Sequence, residues 1–245
     1  MTIRIAMWSG PRNLSTAMMR SFGSRADTFI SDEPFYGCFL KATGADHPMR
    51  EETIAAMDCD WASVMAKLRG RPPDGSPVWY QKHMWHHMAG PIGYDDFEGF
   101  SHAFLIREPE RMIASYLRKR ESAAFGDFGL ERQAEFFERE ADRLGHAPPV
   151  VDANDVLANP EAVLSQLCDA LGIAWDPAML NWAPGRRESD GAWAPHWYAA
   201  VEKSSGFGPP ETDRVELPGE AQRLAEQCRR FYEELASHRI RPRQS

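Results

Sequence analysis

Arg12, Ser15 and Thr16 follow Gly10-Pro11 at the end of a short apolar run, a pattern able to hold a phosphate. Residues 3–8 read as a buried strand, Ser9-Gly10-Pro11 as a tight turn, and 14–22 as a helix whose first turn carries hydroxyls. At such a junction the free N–H groups of the helix start, its positive dipole end and a cationic side chain converge on one small volume. A multiply charged anion suits that volume, and an anionic nucleotide is its natural guest. The segment is not the Walker A pattern G-x-x-x-x-G-K-S/T: Leu14 stands where a second glycine would sit, and no lysine precedes the hydroxyl pair. A surface helix with Asn13 as its cap is the plainer alternative.

Two further groups could bind or move charge. Phe104-Leu105-Ile106-Arg107-Glu108-Pro109 reads as a strand ending in Arg107, with Pro109 opening an amphipathic helix that carries Ser115. Eight helical residues advance about 12 Å, so only a long arginine reaching along the helix could share one phosphate with that serine. Arg186 and Arg187 lie ahead of Gly191, Trp193 and His196, and a guanidinium pair suits phosphate through parallel hydrogen bonds. For proton transfer two bases compete at strand ends: His83, following Lys82, and Glu33, following Asp32. The imidazole needs the smaller pKa adjustment, which favours His83 slightly. His83, His86 and His87 do not stand with a carboxylate at any known metal spacing, so no metal is expected.

In chain order these segments resemble the sulfotransferase family. Pro11, Arg12, Ser15 and Thr16 match its phosphosulfate-binding loop, P-K/R-S-G-S/T-T, while Asn13 and Leu14 do not. Arg107-Glu108-Pro109 and Ser115 match the segment that grips the nucleotide 3′-phosphate. Residues 186–197 are similar to its closing segment R-K-G-x-x-G-D-W-K-N-H-F through Arg186, Arg187, Gly191, Trp193, His196 and Trp197, with departures at Glu188, Ala192, Ala194 and Pro195. Tyr80-Gln81-Lys82-His83 resembles the strand ending K-T/S-H, with the lysine one place closer to the histidine. Asp32-Glu33-Pro34 resembles a glutamate-proline step of bacterial members.

The resemblance implies a P-loop-NTPase-like three-layer α/β fold and transfer of a sulfuryl group from 3′-phosphoadenosine-5′-phosphosulfate (PAPS) to a hydroxyl or amine of a small molecule, without a metal. Gly10, Pro11, Arg12, Asn13, Leu14, Ser15 and Thr16 would hold the 5′-phosphosulfate. Arg107, Ser115, Arg186 and Arg187 would hold the 3′-phosphate, with Gly191 and Trp193 in the closing segment. His83 or Glu33 would be the base, and Lys82 and Arg12 would stabilise charge on the leaving group. Two other readings remain: a small-molecule kinase, which needs a cradle lysine and Mg²⁺ ligands, and a non-catalytic nucleotide-binding protein on the same fold.

The elements that must position these residues alternate. Strands are expected at 3–8, 28–31, 78–82, 102–106 and 150–152, with helices at 14–22, 60–70, 109–121 and 220–238. This βα order predicts a largely parallel sheet with helices on both faces and ligands at the carboxyl ends of strands. Residues 1–245 read as one domain, with a helical insertion around 35–75 and a lid-like segment around 181–218 that is rich in Gly, Pro, Trp and charge. A net charge of −8 argues against a nucleic-acid footprint and requires the anion site to come from a few focused bases. Cys38, Cys59, Cys168 and Cys228 lack C-x-x-C spacing and read as reduced thiols. With no signal-like leader and no long apolar run, a cytoplasmic, non-membrane protein is expected. Oligomeric state stays open.

Overall fold

Five short apolar runs become strands, and helices fill most of the chain between them. The computed structural model describes residues 2–241. The strands are β1 (Ile3–Ser9), β2 (Thr28–Asp32), β3 (Val78–Met84), β4 (Ser101–Ile106) and β5 (Val150–Asp152), hydrogen-bonded in the order β2-β3-β1-β4-β5. β2 and β3 are parallel, with Thr28 opposite Val78 and Asp32 opposite Lys82. β4 and β5 are parallel, with Phe104 opposite Val150 and Ile106 opposite Asp152. This is the mostly parallel α/β sheet that the order of elements predicts. All of β3 and residues 5–9 of β1 are buried, as in strands covered on both faces. The strand order reverses at β1, and α/β sheets bind ligands at the carboxyl end of such a strand.

The chain falls into two compact units. The first comprises the chain through Met7, Thr16–Ser101 and Ala178–Gly206. It holds α1 (Ser15–Phe22) from Thr16 onward, α2 (Tyr36–Thr43), α3 (Arg50–Ala56), α4 (Trp61–Arg69) and the short α9 (Ala194–Trp197). Three of these, α2 to α4, lie within residues 35–75. α4 starts where the Asp60 carboxylate accepts the Ser63 N–H at 2.7 Å, and Gly70 follows its last residue. Phe22 stacks on Tyr80 at 4.4 Å between ring centroids and Phe35 stacks on Trp61 at 5.6 Å, and α4 buries Val64, Met65 and Leu68.

The second unit comprises Trp8–Ser15, His102–Pro177 and the chain from Phe207 on. Its helices are α5 (Pro109–Leu117), α6 (Leu130–Leu144), α7 (Ala153–Ala158), α8 (Pro160–Leu171) and α10 (Gly219–Ser237). α5 ends four residues before the expected Glu121, because the buried stripe Met112, Ile113, Tyr116 stops there and Arg118 and Lys119 turn to solvent. α6 and α8 carry no assignment in the sequence reading. In α6 a narrow apolar stripe is hidden among charges, and Phe136 meets the Trp8 ring edge-on at 5.6 Å. α10 buries Leu224, Cys228, Phe231 and Leu235 of the stripe its pattern predicts, while Tyr232 of that stripe is half-buried and donates to Asp152 Oδ2 at 2.8 Å. Cys38, Cys168 and Cys228 are buried and Cys59 half-buried, all as free thiols.

Candidate active site

The loop after β1 is held open by backbone conformation more than by glycine. Arg12 has φ +64° and Leu14 φ +69°, the alternation of left-handed residues that turns successive N–H groups toward one point. Leu14 thus takes the conformation that a glycine would bring to its place, at a cost of about 1–2 kcal/mol for a side-chain-bearing residue. Gly10 is needed for a different reason: a Cβ there would lie 2.9 Å from the Phe128 carbonyl oxygen. Asn13 is fully buried and its amide donates to the Leu105 carbonyl at 3.4 Å, pinning the loop to β4. It packs under the loop rather than capping a surface helix.

Around this loop the second unit brings Arg12, Arg107 and Ser115 together. Arg12 Nε donates to Ser115 Oγ at 3.1 Å, and Arg107 Nη1 donates to the Arg12 carbonyl at 2.6 Å. It is therefore Arg12 that reaches the serine. Arg107 Nη2 faces both carboxylate oxygens of Glu211, which belongs to the expected lid-like segment. The chain's own carboxylate lies on the guanidinium that the sequence reading gives to phosphate.

The first unit gathers a second set of charges at the ends of β2 and β3. The register that places Asp32 beside Lys82 puts the ammonium 2.9 Å from Asp32 Oδ1 and 2.7 Å from Glu33 Oε1. Lys82 Nζ also donates to the Tyr198 hydroxyl at 2.6 Å and approaches Thr16 Oγ1 at 3.4 Å. Tyr198 in turn donates to Asp32, 2.7 Å from Oδ2, and accepts from the Trp193 indole at 3.0 Å. Burial raises the Glu33 carboxyl above its ordinary value, and Lys82 opposes that rise. Burial alone would lower Lys82, but Asp32 and Glu33 outweigh it and hold the ammonium above its ordinary value. Glu33 itself has φ +45°, so among the described residues three of the four non-glycine residues with positive φ are candidate site residues, the fourth being Met49.

His83 points away from this cluster, since alternate residues of a strand face opposite sides. Its Nε2 lies 3.2 Å from Gln81 Oε1, and its ring sits between Phe35 and Phe97 at 6.0 and 5.3 Å. His87 stacks on Tyr36 at 4.2 Å, and burial keeps its imidazole neutral. Its Nδ1 is 3.7 Å from Glu33 Oε2, too far for a hydrogen bond. Burial lowers His86 to about 3. Among the described residues no group of three or more His, Cys, Asp or Glu is placed to hold a metal ion. No helix among them is long and apolar enough to cross a membrane.

Residues 186–198 are tied down at two points within the first unit. Asp190 is gripped by both terminal nitrogens of Arg20, at 2.6 and 2.7 Å, and also accepts the Arg187 N–H at 2.8 Å. Gly191 donates to Asp32 Oδ2 at 3.3 Å, and a Cβ on it would fall within 2.3 Å of the Trp193 ring. Trp193 is buried, Arg186 is exposed, and Arg187 donates to the Ala183 carbonyl at 2.9 Å. Asp32, Tyr198, Arg20 and Asp190 are absent from the sequence-derived candidates. Each pairs with a residue at least 50 positions away, which leaves no local spacing to notice.

Comparison with known proteins adds to this geometry. The family described as "Sulfotransferase domain" matches residues 3–238. Two Arabidopsis thaliana proteins named branched-chain-amino-acid aminotransferase-like protein 2 and protein 1 are 34% and 35% identical over 96% of this chain. The chain spans only 41% and 42% of their lengths, so their names describe larger proteins. Solved structures with the same fold include the sulfotransferase domain from the curacin biosynthetic pathway, at 18% identity and TM-score 0.51, covering 93% of this chain and 97% of that one. The sulfotransferase domain of the Synechococcus PCC 7002 olefin synthase has 18% identity and TM-score 0.53, with 92% and 94% covered. With a family match over nearly its whole length, the chain belongs to the sulfotransferase-domain family.

Proposed function

We propose that the chain transfers a sulfuryl group from PAPS to a hydroxyl or amine of a small-molecule acceptor. The observation that carries this reading is the loop 10–15, whose alternating left-handed residues sit with Arg12, Arg107 and Ser115 while a carboxylate rests on Arg107. The donor set fits the nucleotide: turned backbone N–H groups, hydroxyls and guanidiniums are what a phosphosulfate and a 3′-phosphate require. PAPS, when bound, supplies the activated sulfuryl group and a phosphate leaving group.

In this reading Gly10, Pro11, Asn13 and Leu14 shape the loop, and Arg12, Ser15 and Thr16 bind the 5′-phosphosulfate. Arg107 and Ser115 bind the 3′-phosphate, and Arg186 and Arg187 add charge to it from the closing segment that Gly191 and Trp193 stiffen. Glu33 takes the acceptor proton. Its carboxylate stands at the end of β2 beside Lys82, and burial has already raised its basicity. His83 is the weaker choice because its Nε2 is directed at Gln81 on the other face of β3. Lys82 is a positioning residue, since its ammonium is shared among Asp32, Glu33, Tyr198 and Thr16.

The test is incubation of the full chain with PAPS and a metabolite extract, followed by mass spectrometry for a product heavier by one sulfuryl group. Calorimetry with 3′,5′-ADP, 5′-AMP and ATP accompanies it. Tight binding of 3′,5′-ADP with a sulfated product supports the reading. Preference for ATP with Mg²⁺ would replace it with a kinase, and 3′,5′-ADP binding without a product would leave a nucleotide-binding protein.

A further inference from the structure

Glu211 of the lid-like segment lies on a guanidinium of the candidate anion site. Glu211 lies between Val201–Lys203 and α10, in a stretch with no helix or strand, and its backbone N–H donates to Asn154 Oδ1 at 3.1 Å. Its carboxylate is 2.5 Å from Arg107 Nη2 and 3.8 Å from Arg111 Nη1. Arg111, four residues beyond Arg107, also donates to Glu108 Oε2 and to the Asp213 carbonyl, both at 2.8 Å. Two guanidiniums therefore approach one anion that the chain itself provides.

Resting on the proposed function, we infer that Arg111 is a further donor-binding residue: Arg107 and Arg111 form a clamp for the 3′-phosphate, which the Glu211 carboxylate fills in the free protein. Charge supports the exchange. With Glu211 withdrawn, Arg107 loses the carboxylate it faces while Arg111 keeps Glu108 and the Asp213 carbonyl, so the Arg107–Arg111 pair is left with one more uncompensated positive charge. A phosphate monoester carries about −1.5 to −2 at neutral pH, whereas Glu211 carries one negative charge. Exposure supports it too. The Glu211 side chain is 36% exposed against 12% for Arg107, so the carboxylate is the partner that solvent can receive. Its segment has no ladder or helical hydrogen bonds to break as it leaves.

The experiment is calorimetry of the full chain with 3′,5′-ADP and 5′-AMP, using the wild type, Arg107→Met, Arg111→Met and Glu211→Gln. The parent reading requires the wild type to prefer 3′,5′-ADP and Arg107→Met to erase that preference. A wild type that binds the two nucleotides equally, or neither, overturns the parent reading and the clamp together. Where the preference holds, Arg111→Met should weaken 3′,5′-ADP by about tenfold or more, since a charge-assisted hydrogen bond is lost, and leave 5′-AMP unchanged. Glu211→Gln should tighten 3′,5′-ADP by about threefold or more, again without moving 5′-AMP. A purely structural Glu211 would give the opposite sign, with a less stable protein and weaker binding. Either shift missing, or present equally for both nucleotides, overturns the clamp while leaving Arg107 in place.

Discussion

Arg107 and Lys82 are both cations held by carboxylates near strand ends, yet their surroundings differ. Arg107 faces Glu211, whose side chain is 36% exposed and lies on an irregular segment. Lys82 faces Asp32 and Glu33, which are 1% and 9% exposed, and adds the buried Tyr198 hydroxyl. In the inferred clamp, the first arrangement would exchange its anion for another of greater charge. The second is closed: three protons of the ammonium meet acceptors at Asp32, at Glu33 just past β2 and at Tyr198, and losing the ammonium leaves two buried carboxylates without their cation. The same chemistry, cation on carboxylate, is thus part-exposed in one place and buried in the other, and under the proposed function the first would serve ligand exchange and the second fixed geometry.

The strongest way to break this comparison is to ask whether the closed cluster contains the base. If Glu33 takes the acceptor proton, Glu33→Gln should lower turnover by about 10² to 10⁴ with 3′,5′-ADP binding intact, while His83→Asn should cost far less. Because burial raises the Glu33 carboxyl above 4.5, its basic form accumulates only above that pH. Turnover should therefore rise with pH along a limb displaced upward from 4.5, and Glu33→Gln should remove the limb. A limb that survives in Glu33→Gln but vanishes in His83→Asn gives the role to His83.

Lys82→Ala tests closure directly. It strands two buried carboxylates and should cost about 3–5 kcal/mol in urea unfolding, whereas Arg107→Ala should cost about 1 kcal/mol or less. Equal losses would erase the distinction between exchangeable and fixed charge. On the ligand side, Arg12→Ala should lower turnover about a hundredfold with an unchanged thermal transition. Unaltered turnover would return Arg12 to an ordinary surface role. Tyr198→Phe should cost about 1–2 kcal/mol, because the Trp193 indole and one Lys82 proton lose their acceptor, and a neutral result would show that water replaces the phenol.

The smallest effect sharpens the role of backbone in the exchangeable site. Leu14→Gly should change stability by less than about 1 kcal/mol, since relief of the positive φ is offset by the greater chain entropy of glycine. A loss well beyond that, read from urea unfolding, would mean that the Leu14 side chain, not its φ, is what the loop requires.

The strands, the helices α1, α4, α5 and α10, the turn proposed to bind the anion and the Arg107-Glu108-Pro109 segment were legible because each is a local pattern. A run of apolar residues makes a strand, a proline opens a helix, and the period of α10 marks its buried face. The limits of that legibility show at Leu14, which looks like a departure from a glycine-containing motif but adopts a positive φ, the region glycine enters most freely. Spacing could place Arg107 and Ser115 eight residues apart; only the folded loop brings Arg12 onto the serine. Likewise the sequence could nominate Glu33 and His83 but not rank them, because their difference lies in which face of a strand each side chain takes and in what the neighbouring strand offers. Asp32, Tyr198, Arg20, Asp190 and Glu211 escaped it altogether. Their partners lie 50 to 170 residues away, and an electrostatic contact carries no periodicity along the chain. Local patterning determined the elements and the cationic candidates, while tertiary packing decided which charges are buried and therefore which are fixed.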